Sequence, residues 1–408
     1  MKELLFLILF VPGFLAEPVR YDGFKVFKII PQSEQQVDTL RLLEETLPSF
    51  NFWRSPAAVN RSVEIMVPPF LKYDFEDFLN TNKIDAEEYI EDVQKLIDNE
   101  KPKVQPRAFG WTSYYRTNDI YNWMDDMARR FPSWVRVVVG GRSHENREIR
   151  GLHISFSRNN ENNAVFLEGG IHAREWISPA VVTFIINELL TSTDSTVRAM
   201  AERYDWYIFP IFNPDGYEWS HTRNRMWRKT RVPYGICTGA DPNRNWDYRW
   251  NTGGASNFPC MDTFAGPRPF SEPETKSMSE YIKSINSKLI AYITFHSFTQ
   301  LLLYPYGHTR ENLDNAAELQ AVGEAAARSL ARRYGTQFRV GNVAATIYIA
   351  TGGSMDWVKG VFRTRITYTY ELRDTGRHGF LLPADQIIPS GEETMDSLVT
   401  IMDEFNRL

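Results

Sequence analysis

The chain has 408 residues, too many for one ordinary core, and the length favours a small domain beside one of about 300 residues. Hydrophobic residues at 43% and aromatic residues at 14% exclude a disordered chain, and a net charge of −5 without a basic patch argues against a nucleic-acid partner. Two cysteines cannot build a four-thiolate zinc module or a disulfide-dense scaffold, and no interior run is apolar enough to span a bilayer.

Lys2 and Glu3 precede the apolar run 4–11, which is too short to cross a membrane and suits a secretory signal. Cleavage is expected near Ala16, although Phe14 is larger than such sites prefer. Residues 1–16 are read as a signal peptide and the protein as secreted and extracellular. Asn60-Arg61-Ser62 is an N-glycosylation sequon, a weak pointer to the same compartment.

From Glu17 to Arg107 the pattern is a small antiparallel α+β unit. Residues 24–30 alternate as a half-buried strand; Val37, Leu40, Leu43 and Leu47 recur at helical spacing; 62–67 reads as a strand, 73–79 as a short helix, and Tyr89-Ile90 as a strand end. Asp92 then leads a helix through Val93, Leu96 and Ile97. Residues 17–107 hold 12 Lys+Arg against 17 Asp+Glu, whereas residues 108–408 hold 33 of each, so the whole imbalance of the chain lies in this unit. An acidic solvated surface is the plain reading, and a cover for a cationic cleft is the alternative. Residues 101–107 are rich in proline and basic side chains, as a cleavable linker would be.

A larger α/β pattern follows: helix 120–131, strands 135–139, 149–156 and 164–167, strand 206–212, and amphipathic helices 311–333 and 392–405. His153 is read as a packed imidazole, and Asn213-Pro214-Asp215-Gly216 as a turn. After strand 164–167, Gly169-Gly170 turn sharply and Ser178-Pro179 cap a helix. His172 and Glu175 fall on that turn, where an imidazole and a carboxylate can share one cation. Alone the pair is weak evidence. His296 strengthens it, because it ends the strand 289–295, and α/β sheets bind ligands beyond the carboxyl ends of their strands. Glu371 closes the alternating run 365–370 and reaches a strand end too. Cys237 and Cys260 favour one disulfide over two free thiols.

Gly170-Ile171-His172-Ala173-Arg174-Glu175-Trp176, Trp227-Arg228-Lys229-Thr230-Arg231, Asn243-Arg244-Asn245-Trp246, His296-Ser297, Ile347-Tyr348 and Tyr370-Glu371-Leu372-Arg373-Asp374 together resemble the zinc metallocarboxypeptidases of the pancreatic A/B type, with their pro-segment. The resemblance covers nearly the whole chain. It implies a pro-segment over 17–107 (activation domain and connecting helix) and a catalytic domain over 108–408, a mixed-sheet α/β/α sandwich. It implies one zinc ion held by His172, Glu175 and His296, with Asp241 orienting an imidazole, Glu371 as general base and Arg228 as electrophile. Asn243, Arg244 and Tyr348 would hold the terminal carboxylate of a peptide. Arg174 and Phe380 would line the next subsite inward, and Phe298 stands where relatives carry a tyrosine. Gly307, Val343, Ala350 and Met355 would form the pocket for the last side chain, where Met355 replaces the acid of basic-specific relatives and Asp356 turns away. The resemblance also supports the Cys237–Cys260 pairing. A monomeric zymogen results, cut after Arg107 or Lys103 by a trypsin-like protease and acting on peptides and proteins in digestion. The rivals are a serine hydrolase, disfavoured because the chain lacks a Gly-x-Ser-x-Gly elbow, and a silent zinc- or peptide-binding relative.

Overall fold

The computed structural model describes residues 17–100, 108–157, 159, 161–311 and 313–407; the expected signal peptide and the linker with its cleavage sites lie outside them. In the first part, strands Lys25–Ile29 (β1), Asn51–Arg54 (β2), Val63–Val67 (β3) and Ala86–Ile90 (β4) pair antiparallel in the order β2-β3-β1-β4. Alternation along these strands gives the sheet two apolar faces. Phe27, Ile29, Ile65 and Val67 pack with Leu40 and Leu43 of helix Glu34–Thr46 and Phe75 and Leu79 of helix Lys72–Thr81. Val26, Trp53, Met66 and Ile90 point the other way, onto Met226, Phe298, Phe380 and Leu381 of the second part. The leader is thus docked by the back of its own sheet.

The second part contains strands Val135–Arg142 (β5), Glu148–Ile154 (β6), Ala164–Glu168 (β7), Asp205–Phe209 (β8), the short ribbon Pro233–Tyr234 (β9) and Cys237–Thr238 (β10), then Leu289–Ser297 (β11), Leu301–Tyr304 (β12), Arg339–Asn342 (β13) and Ile366–Leu372 (β14). Among the described residues, eight of them form one sheet in the order β13-β12-β14-β11-β7-β8-β6-β5. The central β14, β11, β7 and β8 run parallel, and antiparallel pairings flank them. Parallel strands buried on both faces read as continuous apolar runs, as Ala164 to Leu167 does. Val165, Leu167, Ile293 and Phe295 join helices Thr117–Arg130, Ile177–Thr191, Ala316–Tyr334 and Ile387–Arg407 on one side. Phe166, Tyr292 and Phe209 join helices Pro273–Ile285 and Ser354–Phe362 on the other. This is a mixed-sheet α/β/α sandwich. Cys237 and Cys260 are bonded, with Cα atoms 5.2 Å apart.

Several local expectations are corrected. Ser178 does not cap its helix, which begins at Ile177; its hydroxyl instead accepts from Gly170 N (2.9 Å) and donates to Phe295 O (2.5 Å), tying the turn after β7 to β11. Asn213 is itself a helix cap, accepting from Gly216 N (2.9 Å) with Pro214 in the first turn, so that segment opens a helix rather than a simple turn. The last helix starts at Ile387, not 392, since Pro389 in its first turn removes no helical hydrogen bond. His153 stacks on Tyr207, with ring centroids 4.4 Å apart.

Candidate active site

Gly170 has φ +64, and a Cβ there would lie 3.1 Å from Pro210 O, so glycine lets β7 turn at its carboxyl end. The turn carries His172 and Glu175 inward to meet His296 at the end of β11, and all three are buried. His172 Nδ1 lies 2.7 Å from Glu175 Oε1, and His296 Nδ1 lies 3.1 Å from both His172 Nδ1 and Glu175 Oε2. Their donor atoms fall within 4.8 Å of one another. His172 Nε2 faces Asp241 Oδ1 at 3.1 Å; a carboxylate accepts, so that nitrogen carries the proton and Nδ1 presents its lone pair to the centre. Two imidazoles and one carboxylate, with no thiolate, suit a catalytic zinc ion that keeps a position for water or substrate.

Asp241 is fully buried among cations. It accepts from Arg228 Nη2 (2.8 Å) and Nε (3.2 Å), and Arg244 Nη1 stands 3.9 Å away. Burial alone would raise its carboxyl, but Arg228, His172 and Arg244 outweigh that and hold it well below the usual range. The same carboxylate therefore orients the imidazole and aims Arg228, whose Nη1 is 3.8 Å from Glu175 Oε1.

Glu371 lies on β14 at the rung of His296, since the two are register partners in the parallel pair β11–β14. Burial pushes its carboxyl up to about 8, a rise assisted by Glu175 and opposed by His296 and Arg228. Its neighbour Arg373 pairs with Glu393, Nε to Oε1 at 2.7 Å, and leaves Glu371 unengaged by that guanidinium.

Asn243, Arg244 and Tyr348 come together beside this centre. Arg244 Nε donates to Gly254 O (3.0 Å), Nη1 to Asn243 O (2.9 Å) and Nη2 to Tyr348 Oη (3.3 Å). Asn243 Oδ1 accepts from Ser354 N (2.9 Å), and its amide nitrogen lies 3.5 Å from His296 Nε2. Gly307, Val343, Ala350 and Met355 line the adjoining recess together with Ile347, quoted from the sequence only as the neighbour of Tyr348, and with Leu303 and Thr369, neither singled out from the sequence. A Cβ on Gly307 would sit 2.6 Å from Ala350 O and 3.3 Å from Val343 Cγ1, so glycine keeps the recess open. Both oxygens of Asp356 accept from Gly307 N (3.0 and 2.8 Å), and one lies 3.1 Å from His308 Nδ1. Thr369 Oγ1 donates to Met355 Sδ at 3.4 Å.

Residues 48 and 50–55 of the leader form one wall of the cleft. Asn51 bonds Arg174 and Asp262, Trp53 meets Phe380 edge-on with centroids 5.4 Å apart, and Arg54 lies 5.4 Å over Phe298. Acid-to-cation pairing is not the main grip here. Among the described residues, a buried ion pair joins the two parts at the connecting helix, where Glu100 takes both Nε and Nη2 of Arg225 at 2.7 Å. Arg225 also donates to Arg174 O and Phe380 O, each at 2.8 Å, and so ties the leader's end to the rim of the cleft. No sequence pattern marks Asn51, Asp262 or Arg225, because each is defined by contacts across the two parts.

A buried two-imidazole, one-carboxylate set at strand ends, with a second carboxylate at the same rung of the neighbouring strand and a fixed guanidinium beside it, defines a metal-dependent hydrolase. Residues 120–397 match the family model described as zinc carboxypeptidase, and residues 27–100 that described as carboxypeptidase activation peptide. The chain belongs to the zinc carboxypeptidases: it is a metallocarboxypeptidase zymogen with zinc as cofactor. It is 45% identical over 396 residues to zinc carboxypeptidase A 1 of Anopheles gambiae, covering 95% of this chain and 91% of that protein. It is 40% identical over 403 residues to mouse (Mus musculus) carboxypeptidase A2, covering 96% of each. Its fold matches the crystal structure of carboxypeptidase A from Helicoverpa armigera with a TM-score of 0.86 at 29% identity, over 94% of this chain and 98% of that one.

Proposed function

We propose that this zymogen, once cut, removes single residues from the carboxyl ends of peptides and proteins, preferring aromatic and aliphatic ends. The observation that carries this reading is the juxtaposition of the His172–Glu175–His296 set with Arg244, Asn243 and Tyr348 in one cleft. His172, Glu175 and His296 would hold zinc, which when bound supplies a Lewis acid for the scissile carbonyl and acidifies water. Glu371 takes the proton of the attacking water and returns it to the leaving amine. Arg228, aimed by Asp241, donates to the oxygen on which charge develops. Arg244 binds the terminal carboxylate, with Asn243 and Tyr348 completing its shell, so cleavage falls one residue from the end. Release of the terminal residue from a peptide, abolished by a chelator and restored by zinc, tests the reading; an internal cut would sink it.

The specificity rests on Gly307, Val343, Ala350 and Met355. A terminal Lys or Arg would meet no free carboxylate there, because both oxygens of Asp356 are taken by Gly307 and His308. A large apolar side chain gains about 1.5 to 3 kcal/mol on burial. Met355, with its adaptable thioether, should accept Phe, Tyr, Leu and Met ends with little discrimination. In peptides that differ in the last residue alone, kcat/KM for Phe and Leu should exceed that for Lys and Arg. Met355→Asp should invert the order, and an unchanged order in that variant would move the pocket elsewhere.

The same reading makes 17–107 the pro-segment, 108–408 the catalytic domain, and a trypsin-like protease the activator acting within 101–107. The signal-like start and the disulfide support a secreted protein, and the likeness to the A-type relatives supports digestive work by a monomer. Among the described residues no helix is long and apolar enough to cross a membrane.

A further inference from the structure

Glu168 ends β7 with its side chain fully buried, and it takes no part in the steps proposed above. Its Oε1 accepts from Tyr292 Oη (2.7 Å) and Ser354 Oγ (3.2 Å), while Oε2 is buried without a hydrogen-bond partner among the described residues. A buried carboxylate is costly to keep, and two hydroxyl donors offset this one, the first from β11 and the second from the helix Ser354–Phe362. Ser354 is the first residue of that helix, so its main-chain N–H has no acceptor within the helix. It donates to Asn243 Oδ1 at 2.9 Å. With the amide oxygen taken in this way, Nδ2 is the end of Asn243 left to face the cleft, where a terminal carboxylate needs a donor. The main chain of Asn243 is fixed separately, by its N–H to Asp241 Oδ1 at 2.8 Å. Ser354 is therefore held by its hydroxyl to Glu168 and holds Asn243 by its N–H.

We propose that Glu168 is a positioning residue for the terminal-carboxylate anchor: through Ser354 it fixes which end of the Asn243 amide faces the substrate. This rests on the carboxypeptidase reading above and adds to it a residue that touches no substrate. Without the tie the first turn of the helix is free to shift, and the Ser354 N–H no longer dictates the orientation of the amide. Asn243 then also presents its oxygen, which repels a carboxylate. The effect falls on binding of the carboxylate and not on the chemical step, because Glu371 and Arg228 are held by other partners, the β11–β14 register and Asp241.

The test uses the trypsin-activated enzyme, a peptide ending in Phe, and 3-phenylpropanoate as a competitive probe that carries an aromatic ring and a free carboxylate. Glu168→Ala should raise KM and the Ki of the probe about tenfold, as loss of a hydrogen bond to a charged group does, with zinc content unchanged. The value of kcat should stay within about twofold of the parent, since uniform binding is what is lost. Glu168→Gln, which keeps an acceptor oxygen, should recover most of the loss. In an Asn243→Ala background the Glu168→Ala change should leave Ki where it stands, because there is no amide left to aim. Should Glu168→Ala fail to fold, Ser354→Ala cuts the same tie, and the same rise in Ki and the same silence beside Asn243→Ala are expected of it. Equal effects with and without the Asn243 amide, a fall in kcat at unchanged KM and Ki, or loss of zinc overturns the proposal. If the parent enzyme neither releases the terminal Phe nor is inhibited by the probe, the carboxypeptidase reading fails first, and that outcome is distinct from the others.

Discussion

Glu371→Gln is expected to keep the metal and lower kcat by about 10³-fold, within the range for removal of a general acid–base group. Glutamine preserves shape and one acceptor oxygen but cannot take a proton. Glu371 sits at the rung of His296 without an ion pair to Arg373, so that guanidinium does not hold its charge, and a carboxylate so placed can both take and return a proton. Because the proposed hold on the terminal carboxylate lies with Arg244, Asn243 and Tyr348 and not with Glu371, KM should move little. Metal content measured on the same preparation separates loss of the base from loss of zinc. Near wild-type turnover in this variant would remove the assignment.

The second large effect concerns the leader. Residues 48 and 50–55 line the cleft, so the uncut chain should show at least 100-fold lower kcat/KM toward short substrates than the trypsin-treated one, as expected when a bound segment must leave first. Cutting within 101–107 leaves Glu100 on the leader's side, still paired with Arg225 in a buried site. Activity should therefore lag behind cleavage. Glu100→Ala strands the Arg225 guanidinium at the docked interface, which costs about 3 kcal/mol, and should shorten that lag. Parallel time courses of the cleaved band and of product decide the matter: full activity of the uncut chain would end the idea that the leader blocks the cleft, and coincident curves in the parent would end the role of the ion pair.

His172 and Glu175 are legible in the sequence because a strand, two glycines and a helix bracket them, so their spacing already has a geometry. His296 and Glu371 are legible as residues at strand ends, but the pairing of β11 with β14, which makes them neighbours, joins segments 75 positions apart and leaves no local trace. The recess at Met355 comes from resemblance alone: Gly307, Val343 and Ala350 are unremarkable in their own stretches and meet only when the chain is folded. Ser178 shows the opposite failure. Ser-Pro before an apolar periodic run is a good capping signal, yet the hydroxyl is drawn to Phe295 O across the sheet, and tertiary structure overrides the local rule. The leader's net charge points to a cationic cleft, whereas among the described residues its contacts include the apolar back of its sheet, the Asn51 amide, the Trp53 edge and a buried ion pair at the connecting helix.

The rung shared by His296 and Glu371 has a further consequence. Neighbouring strands are held about 4.8 Å apart by main-chain hydrogen bonds, so the offset between these two side chains is set by a ruler that no side-chain substitution can stretch. A slip of one residue would turn Glu371 to the opposite face of the sheet and is forbidden by the apolar packing on both sides. The loop segments that carry Gly307 and Ala350 to the recess hang from this frame without helping to set its spacing. Substitutions there change the shape of the recess while the rung that faces the metal site stays where it is.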